Sequence, residues 1–308
     1  MNPRVSPPVS LDLTSRARPI GSIALVEQAA TLYRPAGRFA YHFARGKLGN
    51  DPLFATLVRL RAIPDARRLV DLGCGQGLLG AWLVATSCAD IRGGIDPSPL
   101  QIDEYCGVDQ SKNDIARART ALPGARIVEA DLRAFDVTTL GPCDVITLFD
   151  VLHYLEPASQ QRLLFSAHAA LRDTGTLLLR IGDAASASAS RWANAIDLAV
   201  CALRGHPRSR LHRRPIADWI ALLDGIGFSV EVLDDDRAHA KRWRSSASFA
   251  NVLLRATKQS VVPGEHLPST GSARGQPIQP AHQSDFERAP MSQPLRWPFK
   301  KEHGRPAS

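Results

Sequence analysis

Residues 69–80 read Leu-Val-Asp-Leu-Gly-Cys-Gly-Gln-Gly-Leu-Leu-Gly, an apolar run that passes into glycines and then into a helix-like segment. A turn of this kind lets a ligand approach the backbone closely, because no side chain stands in the way. Two ligand classes use such a turn. Gly75-x-Gly77-x-x-Gly80 satisfies the dinucleotide pattern GxGxxG, and a nucleoside without phosphates is the other candidate. Asp71 separates them. A diphosphate drawn to the positive end of the following helix would be repelled by a carboxylate at the end of the strand beside it, whereas a cationic amine would be attracted. The chemistry expected here is therefore recognition of a positively charged, phosphate-free nucleoside by Asp71 and by the backbone of Gly73, Cys74, Gly75 and Gly77.

The elements that must hold this turn are legible on either side of it. Apolar runs at 67–73, 104–109, 125–130, 143–149, 176–182, 228–234 and 248–256 read as seven strands. Helices fit at Gln76–Thr86, Ser111–Leu122 and Ala158–Arg172, with a short turn near Val151–Leu155. The alternation predicts an α/β fold: a mostly parallel, Rossmann-like seven-stranded sheet with helices on both faces. No helix separates the last two strands, so they are expected to form a hairpin with the final strand antiparallel. Residues 183–227 are expected to form a helical cap insertion between strands five and six. Trp192, Ile196, Val200 and Leu203 mark its first helix, and Pro215 opens a second that Gly225 and Gly227 close. The expected domain spans 66–257, preceded by a helical cover at 21–65. Residues 1–20 and 258–308, rich in Pro, Ser, Gln and Gly, are expected to be disordered, and Arg296–Lys301 in the tail reads as a solvated patch.

With these segments in place, VDLGCGQG resembles the first motif of the class I S-adenosylmethionine-dependent methyltransferases. The resemblance continues through GVDQSKNDIARAR, EADLRAF, CDVITLFDVLHYL and LRDTGTLLLRIGD in the family's order, over about residues 66–257. S-adenosylmethionine carries an α-ammonium and a sulfonium and no phosphate, which agrees with the reading of Asp71. The resemblance implies that Asp109, with Gln110 beside it, meets the ribose hydroxyls, and that Asp131 and the amide of Leu132 read the adenine. Two acceptors on one aspartate suit a vicinal diol. Asp96 competes for the ribose role, because it lies closer to the usual interval after Gly77. Asp109 is preferred, since an unbroken SKNDIARARTAL follows it, whereas Pro99 and Gly107 would interrupt a helix after Asp96.

Methyl transfer from a sulfonium is an in-line displacement, and alignment alone is worth roughly 7–11 kcal/mol. Ligands of open parallel sheets bind beyond the strands' carboxyl ends, so Phe149, Asp150, His153 and Tyr154 are expected to face the pocket. Phe149 and Asp150 are expected cofactor contacts through their backbones. His153 and Tyr154 are the candidates for acceptor chemistry, although VLHYL suits a packing histidine better than a base. Asp183 reads as a pocket wall or a turn cap. In the cover, the resemblance makes Tyr33, Arg34, Arg38, Tyr41 and His42 candidates for the methionine carboxylate, and an amphipathic helix with solvated arginines explains them equally well; RGHPRSRLHRR at 204–214 reads as a solvated loop or an anion-binding cap.

Composition narrows the partners. Of the formal net charge of +8, residues 1–20 carry +2, 191–214 carry +5 and 258–308 carry +3, which leaves the domain core slightly acidic. This distribution argues against a nucleic-acid-binding face, as does the lack of an Asn/Asp-Pro-Pro-aromatic motif after the fourth strand. The acceptor is expected to be a small molecule or a carrier-bound one. Five scattered cysteines without a CxxC pair suggest neither disulfides nor a metal site. No run approaches the roughly 18–20 apolar residues of a membrane span, and the start has no apolar signal core, so a cytoplasmic protein is expected. Two other readings remain: a catalytically silent relative that binds the cofactor or a partner, and an NAD-dependent oxidoreductase, which Asp71 opposes.

Overall fold

The computed structural model describes residues 20–88, 100–182, 211–235 and 251–259. Asp96, Asp183, the first insertion helix and both terminal segments lie outside them. Seven strands form one sheet: β1 (Ala66–Leu72), β2 (Ile102–Asp109), β3 (Arg126–Glu129), β4 (Cys143–Phe149), β5 (Leu171–Gly182), β6 (Phe228–Asp235) and β7 (Asn251–Lys258), in the order β3-β2-β1-β4-β5-β7-β6. All neighbours from β3 to β5 are parallel, while β7 runs antiparallel to both β5 and β6. The antiparallel pairing of the last two strands and the single reversed strand are as expected from sequence, while the connection between them lies outside the described residues.

Parallel strands covered on both faces must be apolar nearly throughout, and β1, β2, β4 and β5 each bury four or more consecutive residues. One face, carrying Leu69, Tyr105, Val145, Leu178 and Leu253, packs under the N-terminal helices α1 (Ile20–Thr31), α2 (Arg38–Asn50) and α3 (Pro52–Arg59), together with α4 (Leu78–Cys88) and α5 (Lys112–Ala121). The other face, with Val70, Leu72, Ile146, Leu148 and Leu179, packs on α6 (Pro157–Ala170) and α7 (Ile216–Ile226).

Local signals set the boundaries. Ser111 caps α5 by accepting from the Asp114 amide at 3.4 Å, and Gly227 closes α7 in the left-handed region at φ +108°. The helix expected to run to Arg172 stops at Ala170, because Leu171 already pairs with Cys143 as β5 begins. The last strand continues through Lys258, one residue beyond the expected domain end.

Candidate active site

The strand order reverses direction between β1 and β4, and open sheets of this type bind ligands in the crevice beyond the carboxyl ends at that point. The glycine turn leaves β1 there. The amides of Gly73 and Cys74 both donate to the Val108 carbonyl, at 2.8 and 3.1 Å, so the turn folds back over the end of β2. Gly73 has φ +80°, and a Cβ on it would run into the Val151 side chain from the exit of β4. Gly75 has φ +54° and nothing within 4 Å of the place a Cβ would take. The turn is thus packed tightly at its start and open at Gly75, which is the cradle a ligand backbone contact requires.

Asp109 ends β2, and its position there supports it over Asp96 as the acid at that strand's exit. One carboxylate oxygen accepts from the Gly75 amide at 2.8 Å and the other from the Ser111 amide at 2.8 Å. Its carbonyl accepts from the Ala130 amide at 2.9 Å, which ties the exit of β3 to the same corner. Asp131 follows, exposed, with both oxygens 2.9 Å from Arg133 Nε. An exposed pair of this kind is worth at most about 1 kcal/mol, so a ligand amine can compete for that carboxylate. Leu132 is buried in the core beside it, and Gln110 is exposed next to Asp109.

Asp71 sits deeper than its sequence position suggests. It is 4% exposed, and its two oxygens accept from Tyr105 Oη at 2.6 Å and Thr147 Oγ1 at 2.7 Å. Burial raises its pKa to about 6 against the pull of those two hydrogen bonds, and repulsion from Asp109 adds to the rise. Buried and with both oxygens engaged, Asp71 offers the turn a charge rather than a contact. Cys74 is buried, with its thiol pushed well up by burial and by the neighbouring carboxylates. Its Sγ occupies the space left by Gly107.

At the exit of β4, Asp150 adopts φ +59°, and its amide donates to the Arg180 carbonyl at 3.1 Å. Phe149, partly buried, packs toward the cover-side core. His153 and Tyr154 lie in the turn beyond, with ring centroids 4.0 Å apart. The His153 carbonyl accepts from the His212 amide at 2.8 Å, so this turn faces the end of the insertion rather than the glycines. Desolvation, and secondarily Arg213, lower the His153 pKa to about 4. Gln160 clamps the same junction: its Nε2 donates to the carbonyls of Leu152, Leu155 and His212, and its Oε1 accepts from Arg214.

The cover candidates divide. Tyr33 is fully buried and its Oη donates to the Gln76 carbonyl at 2.9 Å, so it supports the turn from above. Arg34 and Tyr41 both engage Glu27, at 3.6 and 2.6 Å. His42 is exposed, with its ring edge against Tyr41. Arg38 is exposed at the start of α2 with no ion pair among the described residues.

Sequence reasoning missed Tyr105, Thr147, Gln76, Asp51 and Arg180. A hydroxyl or a charge inside an otherwise apolar strand was the available signal for three of them. Thr147, for instance, stands opposite Asp71 in the parallel register.

Among the described residues, no three His, Cys, Asp or Glu side chains gather as a metal site would require, and no helix is long and apolar enough to cross a membrane.

Sheet order, a lone reversed strand and a glycine turn at the switch point define a Rossmann-like α/β protein of the class I methyltransferase type. Residues 42–233 match the family described as "Methyltransferase domain", and the chain belongs to that family. A carboxy-S-adenosyl-L-methionine synthase from Psychrobacter sp. (strain PRwf-1) is 33% identical over 118 residues, which cover 36% of this chain and 39% of that one. The crystal structure of an O-methyltransferase family protein from Burkholderia thailandensis superposes with a TM-score of 0.50 at 18% identity, over 77% of this chain and 64% of that one. The chain therefore spans less than two thirds of either relative. The cofactor of the class is S-adenosylmethionine. The residues present suit it: an open cradle at Gly75, acids at Asp71 and Asp109, and no Lys or Arg between residues 69 and 80 to receive a phosphate.

Proposed function

We propose that this methyltransferase transfers a methyl group to an oxygen, nitrogen or carbon of a small or carrier-bound acceptor. When bound, S-adenosylmethionine supplies an electrophilic methyl group on a sulfonium. In this reading Gly73, Cys74, Gly75 and Gly77 line the cofactor with backbone, and Asp109 and Gln110 hold the ribose hydroxyls. Asp131 and Leu132 read the adenine, Phe149 and Asp150 flank the methionine end, and Asp71 favours its positive charge. Arg38, exposed and outside any ion pair among the described residues, is the cover cation offered to the carboxylate, with Arg34, in an exposed 3.6 Å pair with Glu27, able to compete for it.

The observation that carries the reading is Asp109, whose carboxylate is fixed beside the open face of Gly75 by two backbone amides. Such a carboxylate is oriented in advance for the hydroxyls of a ribose, while Asp71 at the end of β1 disfavours a diphosphate in the turn. His153 serves as a pocket wall rather than a base. A conjugate acid near 4 makes a weak proton acceptor at neutral pH, so alignment carries the transfer. Tyr154 packs against it.

Calorimetric titration with S-adenosylhomocysteine tests the cofactor half. Binding is expected for the wild type, and Asp109→Ala is expected to weaken it about tenfold or more through lost charged hydrogen bonds. Preference for NAD, or equal binding by the variant, refutes the assignment. Transfer of label from S-adenosylmethionine into a small-molecule fraction tests the acceptor half. Binding without transfer to any acceptor would favour a silent relative.

A further inference from the structure

The sequence TLLLRIG in β5 places one arginine in a fully buried apolar strand. Alternation puts Arg180 on the same face as Leu178, under the N-terminal cover, where it is 8% exposed. A guanidinium there requires a carboxylate, and Asp51 provides one: both of its oxygens lie 2.7 Å from Arg180 Nη1, and Lys47 Nζ lies 2.7 Å from Oδ2. Burial pushes the Asp51 carboxyl up, but Arg180 and Lys47 outweigh it and leave the pKa lowered. Asp51 is also the joint of the cover. It follows the end of α2 and caps α3 by accepting from the Leu53 amide at 3.0 Å.

On its other side Arg180 reaches the site. Nη1 is 3.4 Å from Asp150 Oδ2, and the Arg180 carbonyl holds the Asp150 amide in its left-handed conformation. The next residue, Val151, is the one that fills the space above Gly73. At the other end of α2, the Ala40 carbonyl accepts from Gln76 Nε2 at 3.3 Å, and the preceding Tyr33 bonds the Gln76 carbonyl. The cover is therefore fastened to the glycine turn at one end and to the β4 exit at the other.

We propose that Arg180 is a positioning residue which, through Asp51 and Asp150, seats the cover over the cofactor cleft and sets the backbone at the β4 exit in one arrangement. This rests on the reading that the cofactor occupies the glycine turn. Released from Arg180, the cover lifts at the α2–α3 joint while Gln76 still holds its other end, so bound cofactor escapes faster.

The test uses the full chain, S-adenosylhomocysteine, stopped-flow dissociation and amide exchange of α2. Asp51→Asn keeps the helix cap and loses the charge. Arg180→Lys keeps the charge and loses the planar fork. Asp51→Asn with Arg180→Met removes the two most buried charges together, and only the part-exposed Lys47 and Asp150 lose this partner. Both single variants are expected to raise the dissociation rate roughly tenfold, a coupling of ordinary size within one network. The double variant is expected to regain the wild-type thermal midpoint while keeping the fast dissociation and losing the protection of α2 amides by ligand. If it instead dissociates and protects like the wild type, the pair is merely structural and the proposal is overturned. If Asp51→Asn fails to fold, Arg180→Lys and the double variant decide the matter. A wild type that binds no S-adenosylhomocysteine would sink the cofactor reading, a result separate from any behaviour of the variants.

Discussion

Asp71 makes the protein sensitive to pH in a direction opposite to that of ion-paired carboxylates such as Asp51. In the folded chain it keeps its proton up to about pH 6, against an ordinary value of 3.8. Between those two values the folded state holds a proton that the unfolded chain has released. Stability from this group is therefore fully present below pH 3.8 and is lost as pH rises to 6. Two pKa units at about 1.4 kcal/mol each set that loss at about 3 kcal/mol. A cationic ligand favours the ionised form and draws the bound-state pKa back toward the ordinary value. Affinity then rises with pH, by about tenfold between pH 5 and pH 7 for a full return, and is flat above. Calorimetric titrations of S-adenosylmethionine, which carries the sulfonium charge, across that window should show the rise in the wild type and a flat line in Asp71→Asn. Asp51 and Asp144, both lowered, titrate below the window, so the difference between the two proteins isolates Asp71. A flat wild-type profile, or a slope that survives in Asp71→Asn, would refute the field effect assigned to this buried group.

Gly73→Ala should destabilise the fold by about 2–4 kcal/mol in chemical denaturation, because the new methyl meets Val151 and the residue must hold φ +80°. Adding Val151→Ala should return part of that loss, and no recovery would place the whole cost in the backbone. His153, held near 4 by burial, should show a neutral imidazole by NMR from pH 5 upward, with no titration limb of turnover in that range lost in His153→Gln. An imidazole titrating near 6.5 would restore it as a base.

The sheet, its reversed last strand and the glycine turn were legible because they follow from periodicity and from backbone freedom, both local properties of the chain. Asp109 was legible for the same reason: a capped helix after it fixes where β2 must end. The surroundings of Asp71 were not. Its partners Tyr105 and Thr147 lie 34 and 76 residues away and meet it only through parallel registry. The Asp51–Arg180 pair spans 129 residues. Pairings of that range are decided by packing of the cover on the sheet, which no window of sequence contains. Arg34 and Tyr41 illustrate the converse: their types suited a carboxylate ligand, yet Glu27 one turn up α1 claims them.

Tyr105, Asp71, Thr147 and Arg180 all fall on the sheet face that lies beneath the cover, on the adjacent strands β2, β1, β4 and β5. A polar row buried on an apolar face carries a desolvation cost, and each member here is matched: hydroxyls to Asp71, carboxylates to Arg180. The turn at the end of β1 is held by its own bonds, from the Gly73 and Cys74 amides to the Val108 carbonyl and from the Gly75 amide to Asp109, and by the packing of Val151 on Gly73 and Leu122 on Gly77. That explains how three left-handed glycines in five residues can hold a single shape. The turn has lost its freedom before a ligand arrives, and the ligand is spared that ordering cost. The acceptor side is built differently. His153 and Tyr154 hang on a turn of 3₁₀ helix whose partners are the His212 amide and the Gln160 clamp, both on the far side of the sheet from the cover. On the proposed reading, cofactor binding and acceptor choice then draw on different packing units, joined through Asp150 and Val151 at the exit of β4. Substitutions at the Gln160–Arg214 junction should therefore change which acceptor is used while leaving cofactor affinity intact.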